Sequence, residues 1–105
     1  MSDNNARRYY GGVIRSFADN DTERVWRREF VRSWSRELQQ AAYRKLVLID
    51  SATGLNDLQS LPGNRLEKLV GDRAGQYSIR VNDRWRICFI WRKDDAYEVE
   101  IVDYH

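Results

Sequence analysis

The chain has 105 residues, room for one domain with a modest core. Hydrophobic residues at 42% and charged ones at 32% describe a water-exposed globular domain; no apolar run reaches the roughly 20 residues that cross a bilayer, and no basic-then-apolar leader is present, so a cytoplasmic protein is expected. A net charge of +2 is too small to mark a nucleic-acid binder by itself, and a single cysteine, Cys88, excludes an internal disulfide or a cysteine metal cluster.

Residues 1–12 (MSDNNARRYYGG) are polar and aperiodic and read as a flexible tail, leaving 13–105 as the single domain. Val13 to Phe17 is a short β-prone run, the first strand. The cluster Asp19-Asn20-Asp21-Thr22 offers an N-cap to a helix bearing Val25, Trp26 and Phe30. Ser33 or Ser35 starts a second helical stretch, in which Leu38, Ala41, Ala42, Leu46 and Ile49 recur at helical spacing until Asp50-Ser51-Ala52-Thr53-Gly54 stops it. The pattern allows one bent helix or two. Arginines along it (Arg24, Arg27, Arg28, Arg32, Arg36, Arg44) form either a solvated face or a partner surface. Gly54 to Arg65, with Pro62-Gly63, reads as an exposed loop.

Leu66 to Val70 follows as a strand, but Leu66 and Leu69 are three apart, so alternation fails and the face taken by Glu67 stays open. Beyond the turn Gly71 to Gly75, two runs alternate strictly. Tyr77, Ile79 and Val81 oppose Ser78, Arg80 and Asn82; Trp85, Ile87, Phe89 and Trp91 oppose Arg86, Cys88, Ile90 and Arg92. Keeping both apolar rows on one core forces parity, and a loop of Asn82-Asp83-Arg84 pairs Val81 with Trp85. Arg80 then faces Arg86, a like-charge pair that destabilises a sheet unless an anion compensates it. A last strand carries Tyr97, Val99 and Ile101 toward the core. Glu98, Glu100, Val102 and Tyr104 lie on the arginine side, with Tyr104 opposite Arg86 or one diagonal step away. His105, the one histidine, ends the chain. Cys88 reads as a small side chain filling space in its strand.

Charge is unevenly distributed. Between 64 and 92 there are seven basic residues against three acidic, whereas from Lys93 onward one lysine meets five acids. Only three of the 18 basic residues are lysine, and arginine's planar fork suits phosphate. One strand, one or two helices and then four antiparallel strands make an α+β domain with helices on one face of a sheet.

The string LEKLVGDRAGQYSIRVNDRWRICFIW, the acidic turn after it and the terminal Asp103-Tyr104-His105 closely resemble the HigB-type toxins of type II toxin–antitoxin systems, in the RelE/ParE superfamily, over residues 13–105. The resemblance implies a RelE-like fold and a ribosome-dependent mRNA endoribonuclease, an mRNA interferase that blocks translation by cutting messenger RNA in the decoding site. The reaction it implies is attack of a 2′-hydroxyl on the adjacent phosphate, without metal or cofactor, under control of a HigA-like helix-turn-helix antitoxin.

Residue by residue, Arg86 matches the arginine of the family's Trp-Arg motif and would clamp the scissile phosphate. Tyr104 and His105 match its terminal Tyr-His pair, as base-orienting ring and proton donor; the pKa of histidine, about 6.5, suits that task. Arg80 and Arg73 would bind RNA phosphates. Two positions depart from the pattern: the family's strand histidine falls on Glu67, read here as general base, and its lysine falls on Val70, with Lys68 the nearest replacement. Two other functions fit the same fold, a non-catalytic ParE-like inhibitor acting by binding gyrase and an inactive antitoxin-binding module. The Trp85-Arg86 and Tyr104-His105 pairs favour catalysis, since a pure binder needs no proton donor beside an arginine cluster.

Overall fold

The two alternating runs form the middle of a four-stranded antiparallel sheet of order β1-β2-β3-β4, with β1 Glu67–Lys68, β2 Gln76–Arg80, β3 Trp85–Arg92 and β4 Asp95–Asp103. This computed structural model describes residues 12–104; the expected tail over 1–12, all but its last residue, and the terminal His105 lie outside them. Gly12 is buried so close to the Asp50 carboxylate that a Cβ there would collide with it.

The register is the one that parity requires. Ile79 pairs with Ile87 and Arg80 with Arg86, and the Val81 and Asn82 amides both donate to the Trp85 carbonyl, at 2.9 and 3.2 Å. Asn82 closes the turn by accepting from the Arg84 and Trp85 amides through Oδ1, at 2.9 and 2.8 Å. Ile79, Val81, Ile87, Phe89, Val99 and Ile101 then share one face of the sheet and form its half of the core.

The helices supply the other half. Helix α1 spans Asn20–Trp26 and α2 spans Arg36–Ser51, so the helical stretch is two helices. Each begins at a side-chain cap: Asp19 accepts from the Thr22 amide at 3.1 Å, and Ser35 from the Leu38 amide at 3.0 Å. Leu38, Ala42, Leu46 and Ile49 form the buried stripe of α2, each worth roughly 1.5–3 kcal/mol of burial when as large as leucine or isoleucine. Thr22 ties α1 to the sheet: its hydroxyl, fully buried, accepts from the Ile101 amide at 2.9 Å and donates to Asp19 at 2.7 Å.

Three expectations are corrected. Val13 to Phe17 is not a regular strand; it runs parallel beside β4 and touches it through isolated bridges, Ile14 with Ala96 and Phe17 with Val99. The connection 54–65 is not a bare loop. It holds helix α3, Leu55–Gln59, and a single 3-10 turn, Pro62–Asn64, anchored by the buried Leu58 and Asn64. Third, Tyr97 does not face the core. The pairing of β3 with β4 slips between Cys88 and Ile90, where Glu98 has φ +52°, and this bulge sends Ala96 inward and Tyr97 to the arginine side, under the Arg92 guanidinium. Ser16 holds the bulge by accepting from the Glu98 amide and donating to its carboxylate, at 2.9 and 3.0 Å.

No helix is long and apolar enough to cross a membrane among the described residues.

Candidate functional site

The face of the sheet away from the helices carries two cross-strand rows. Glu67, Ser78, Cys88 and Glu100 form one; Arg80, Arg86 and Val102 form the next. Pairing with Ser78 settles the open question about Glu67: it lies on the arginine face. Lys68 pairs with Tyr77 and therefore faces the other way, and it lines no part of the cleft described next.

Arg86 is the centre of this surface. Only 9% of it is exposed, so its charge must be satisfied locally. Nε donates to Ser78 Oγ at 2.8 Å, and Nη2 donates to the Arg65 carbonyl at 2.6 Å and, more weakly, to the Ser78 carbonyl at 3.3 Å. Glu67 Oε1 stands 3.9 Å from Nη2, at the limit of an ion pair. Nη1 donates no hydrogen bond among the described residues, and this edge of the guanidinium is the part available to an anion. The ring of Tyr104 lies beside it, 5.7 Å from centroid to guanidinium carbon. Around the pair opens a cleft of about 480 Å³ lined by Arg65, Glu67, Arg80, Asn82, Asp83, Arg86 and Tyr104.

Tyr104 stands one diagonal step from Arg86, because Arg86 pairs with Val102 and the Tyr104 amide donates to the Arg84 carbonyl at 2.8 Å. The same Arg84 grips Asp103, Nε and Nη2 donating to its carboxylate at 2.7–3.0 Å. Burial first, and then the Cys88 sulfur beside it, raises the Tyr104 hydroxyl above its usual range, against the pull of Arg86 and Arg73. The phenol is thus a hydrogen-bond donor at neutral pH and not a base.

Arg80 is held by Asp83 of the adjoining turn. Arg73 folds back from the turn Gly71–Arg73 and donates to Glu100 and Gln76, both at 3.1 Å, beside Cys88. Cys88 itself is fully buried, and burial pushes its thiol up; this is an inert space-filling cysteine. Among the described residues no three His, Cys, Asp or Glu side chains converge as metal ligands do.

Of the residues singled out in the sequence, the structure brings Arg86, Arg80, Glu67 and Tyr104 into one cleft. Arg73 stands at its margin, Lys68 outside it, and His105 beyond the described residues. Three supporting groups escaped the sequence reading: Ser78, the carbonyl of Arg65, and the pair Arg84–Asp103. Ser78 was signalled by parity, as the hydroxyl on the arginine face nearest Arg86. The Arg65 carbonyl carried no signal, because backbone orientation in a turn is not written in residue type.

The α+β arrangement is that of RelE-superfamily toxins. A solved structure, the YoeB-YefM complex from Staphylococcus aureus, superposes with a TM-score of 0.51 at 12% identity, covering 88% of this chain and 97% of that one. The chain belongs to the family described as RelE-like toxin of type II toxin-antitoxin system HigB, whose model matches residues 15–105. Two relatives are Toxin HigB-1 of Vibrio cholerae, 44% identical over 51% of this chain, and Endoribonuclease HigB of Proteus vulgaris, 41% identical over 58%. The matched segments span 57% and 65% of those two proteins.

Proposed function

We propose that this chain is the toxin of a type II toxin–antitoxin system and that it cuts messenger RNA on the ribosome. The observation that carries the reading is the state of Arg86: a guanidinium fixed by Ser78 and Arg65 on one side, presenting its remaining donors to a cleft that also holds a carboxylate and an aromatic ring. A cation pre-positioned in this way needs no reorganisation when charge develops on a phosphate, and for a reaction with no covalent enzyme intermediate such electrostatic stabilisation is usually the largest single contribution.

In this reading the RNA lies across the cleft with its scissile phosphate against Arg86 Nη1. Glu67 removes the proton of the 2′-hydroxyl, whose oxygen forms a bond to phosphorus. The bond from phosphorus to the 5′-oxygen breaks, and His105 supplies the proton that makes the departing oxygen a hydroxyl. The products are a 2′,3′-cyclic phosphate and a 5′-hydroxyl end. Arg80, across the strand from Arg86, takes a neighbouring phosphate, and Arg73 the strand beyond it. Tyr104, protonated and partly exposed, stacks on a splayed base or donates to a phosphate oxygen. Nothing in this scheme calls for a metal or an organic cofactor. Lys68, facing away from the cleft, has no place in it.

The partner we infer is an antitoxin of the HigA-like, helix-turn-helix class, in keeping with the toxin–antitoxin family to which the chain belongs. The substrate sets the compartment, the cytoplasm, where messenger RNA sits in ribosomal decoding sites.

The test is the end chemistry. Programmed ribosomes incubated with the purified chain should yield fragments whose 3′ ends resist ligation until the cyclic phosphate is removed and whose 5′ ends accept phosphate from a kinase. Fragments with 5′-phosphates would sink the 2′-hydroxyl route. Arrest of growth with intact RNA would turn the reading to a ParE-like toxin that binds gyrase, and loss of both to an inactive antitoxin-binding module.

A further inference from the structure

The geometry points to Asn64 as a positioning residue that acts on Arg86 through the carbonyl of Arg65, an inference resting on the nuclease reading just given. Asn64 is an asparagine with no exposed surface, at the end of the turn Pro62–Asn64. Both ends of its amide are used. Nδ2 donates to the Leu58 carbonyl at 3.1 Å, and Oδ1 accepts from Lys45 Nζ at 2.6 Å, so the side chain joins helix α3, the turn and helix α2. The Asn64 amide donates to the Leu61 carbonyl at 2.9 Å and completes the turn.

The next residue, Arg65, is bent into the left-handed region, φ +45° and ψ +55°, which a side chain other than glycine adopts only when its surroundings impose it. That bend aims the Arg65 carbonyl into the cleft, where it accepts from Arg86 Nη2 at 2.6 Å. Arg86 has two anchors, then. Ser78 comes from the adjoining strand and is fixed by the sheet. The Arg65 carbonyl comes from a connection with no ladder of its own, and what holds that connection is the buried amide of Asn64. Without it, Arg65 relaxes out of the left-handed region, the carbonyl turns away, and the guanidinium keeps only its Ser78 hinge. The edge carrying Nη1 then swings in the cleft. A displacement of about 1 Å at a catalytic group is enough to lose a hundredfold in rate while leaving substrate binding nearly as it was.

The experiment uses the full chain with Asn64→Ala, and Asn64→Asp in parallel. The second variant keeps an acceptor for Lys45, whose ammonium compensates the new buried carboxylate, and loses the donor to Leu58, so it serves should the first fail to fold. Two readouts are taken at a temperature where circular dichroism finds the variants folded. The first is rotation about the Arg86 Cζ–Nη2 bond by nitrogen-labelled NMR, a motion that the hydrogen bond from Nη2 to the Arg65 carbonyl restrains and that needs no substrate to observe. The second is single-turnover cleavage on programmed ribosomes as a function of toxin concentration.

The expected result is rotation of the Arg86 Nη2 group faster by about tenfold or more, with the cleavage step slowed by about tenfold to a hundredfold and the half-saturating concentration changed by less than about threefold. Arg86 Nη2 rotation as slow as in wild type, or folded variants that cleave within about twofold of it, overturns the positioning role. If the wild-type chain cuts no RNA, the nuclease reading fails on that result alone; the rotation measurement still decides whether Asn64 positions Arg86.

Discussion

Arg80 and Arg86 face each other across β2 and β3, two guanidinium groups on directly paired residues. Each has its own restraint, Asp83 for Arg80 and the Ser78–Arg65 cradle for Arg86, but neither restraint removes the repulsion between them. A sheet that keeps such a pair gives up stability for a concentrated positive surface. Arg80→Gln should therefore raise the unfolding free energy by up to about 1 kcal/mol in urea. The same change should weaken RNA binding and lower the salt slope of that binding by about one ion. A variant that is less stable than wild type, or that binds RNA with an unchanged slope, contradicts this account of the pair.

Glu67 stands at the open edge of the cleft with 57% of its side chain exposed, within ion-pair reach of Arg86. If it is the base, Glu67→Gln keeps the size and loses the proton acceptor. The cleavage step should fall by about a hundredfold or more with half-saturation unchanged. A variant that binds less tightly but cuts at the wild-type rate would make Glu67 a contact and not a base.

Cys88 supplies a pH dependence. Burial favours its neutral thiol, so its pKa in the folded chain is raised. The unfolded chain then loses this proton first, as pH climbs past about 8.5, and the contribution, complete below that value, declines as pH rises toward the folded value. Lys45 works in the opposite sense, since burial, then Arg80 and Arg44, lower its pKa. The stability difference between wild type and Cys88→Ala cancels Lys45 and should shrink from pH 7 to pH 10. Parallel stability curves would dismiss the thiol as a titrating group.

Thr22 joins helix to sheet by accepting the buried Ile101 amide. Thr22→Ala leaves that N–H open, and the loss should be about 1–3 kcal/mol by denaturant midpoint. A cost below about 0.5 kcal/mol would mean that water enters and takes over the bond.

The sheet was legible in the sequence where alternation was strict. From Tyr77 to Trp91, parity alone put Ile79, Val81, Ile87 and Phe89 in the core and set Arg80 against Arg86, and the terminal strand then brought Tyr104 within one diagonal step of Arg86. Alternation failed at Tyr97, because the bulge at Glu98 adds a residue without a glycine to announce it. It was silent at Glu67, where the face is decided by pairing with Ser78 and not by the broken pattern of Leu66 and Leu69. The cradle of Arg86 was the least legible part. A proline, a glycine and polar neighbours made 54–65 look like an exposed loop, and the burial of Asn64 and the left-handed bend at Arg65 arise only from tertiary contacts.

Every role proposed for the cleft depends on Arg86 acting in the cutting of messenger RNA. Arg86→Ala strips Ser78 and the Arg65 carbonyl of their donor and should cost about 1–3 kcal/mol, so the variant is compared at matched soluble levels. Primer extension on messages from cells, after brief induction of the chain without an antitoxin, should reveal discrete new 5′ ends confined to translated regions and absent with Arg86→Ala. Growth arrest with intact messages, or the same ends produced by the folded variant, would contradict it.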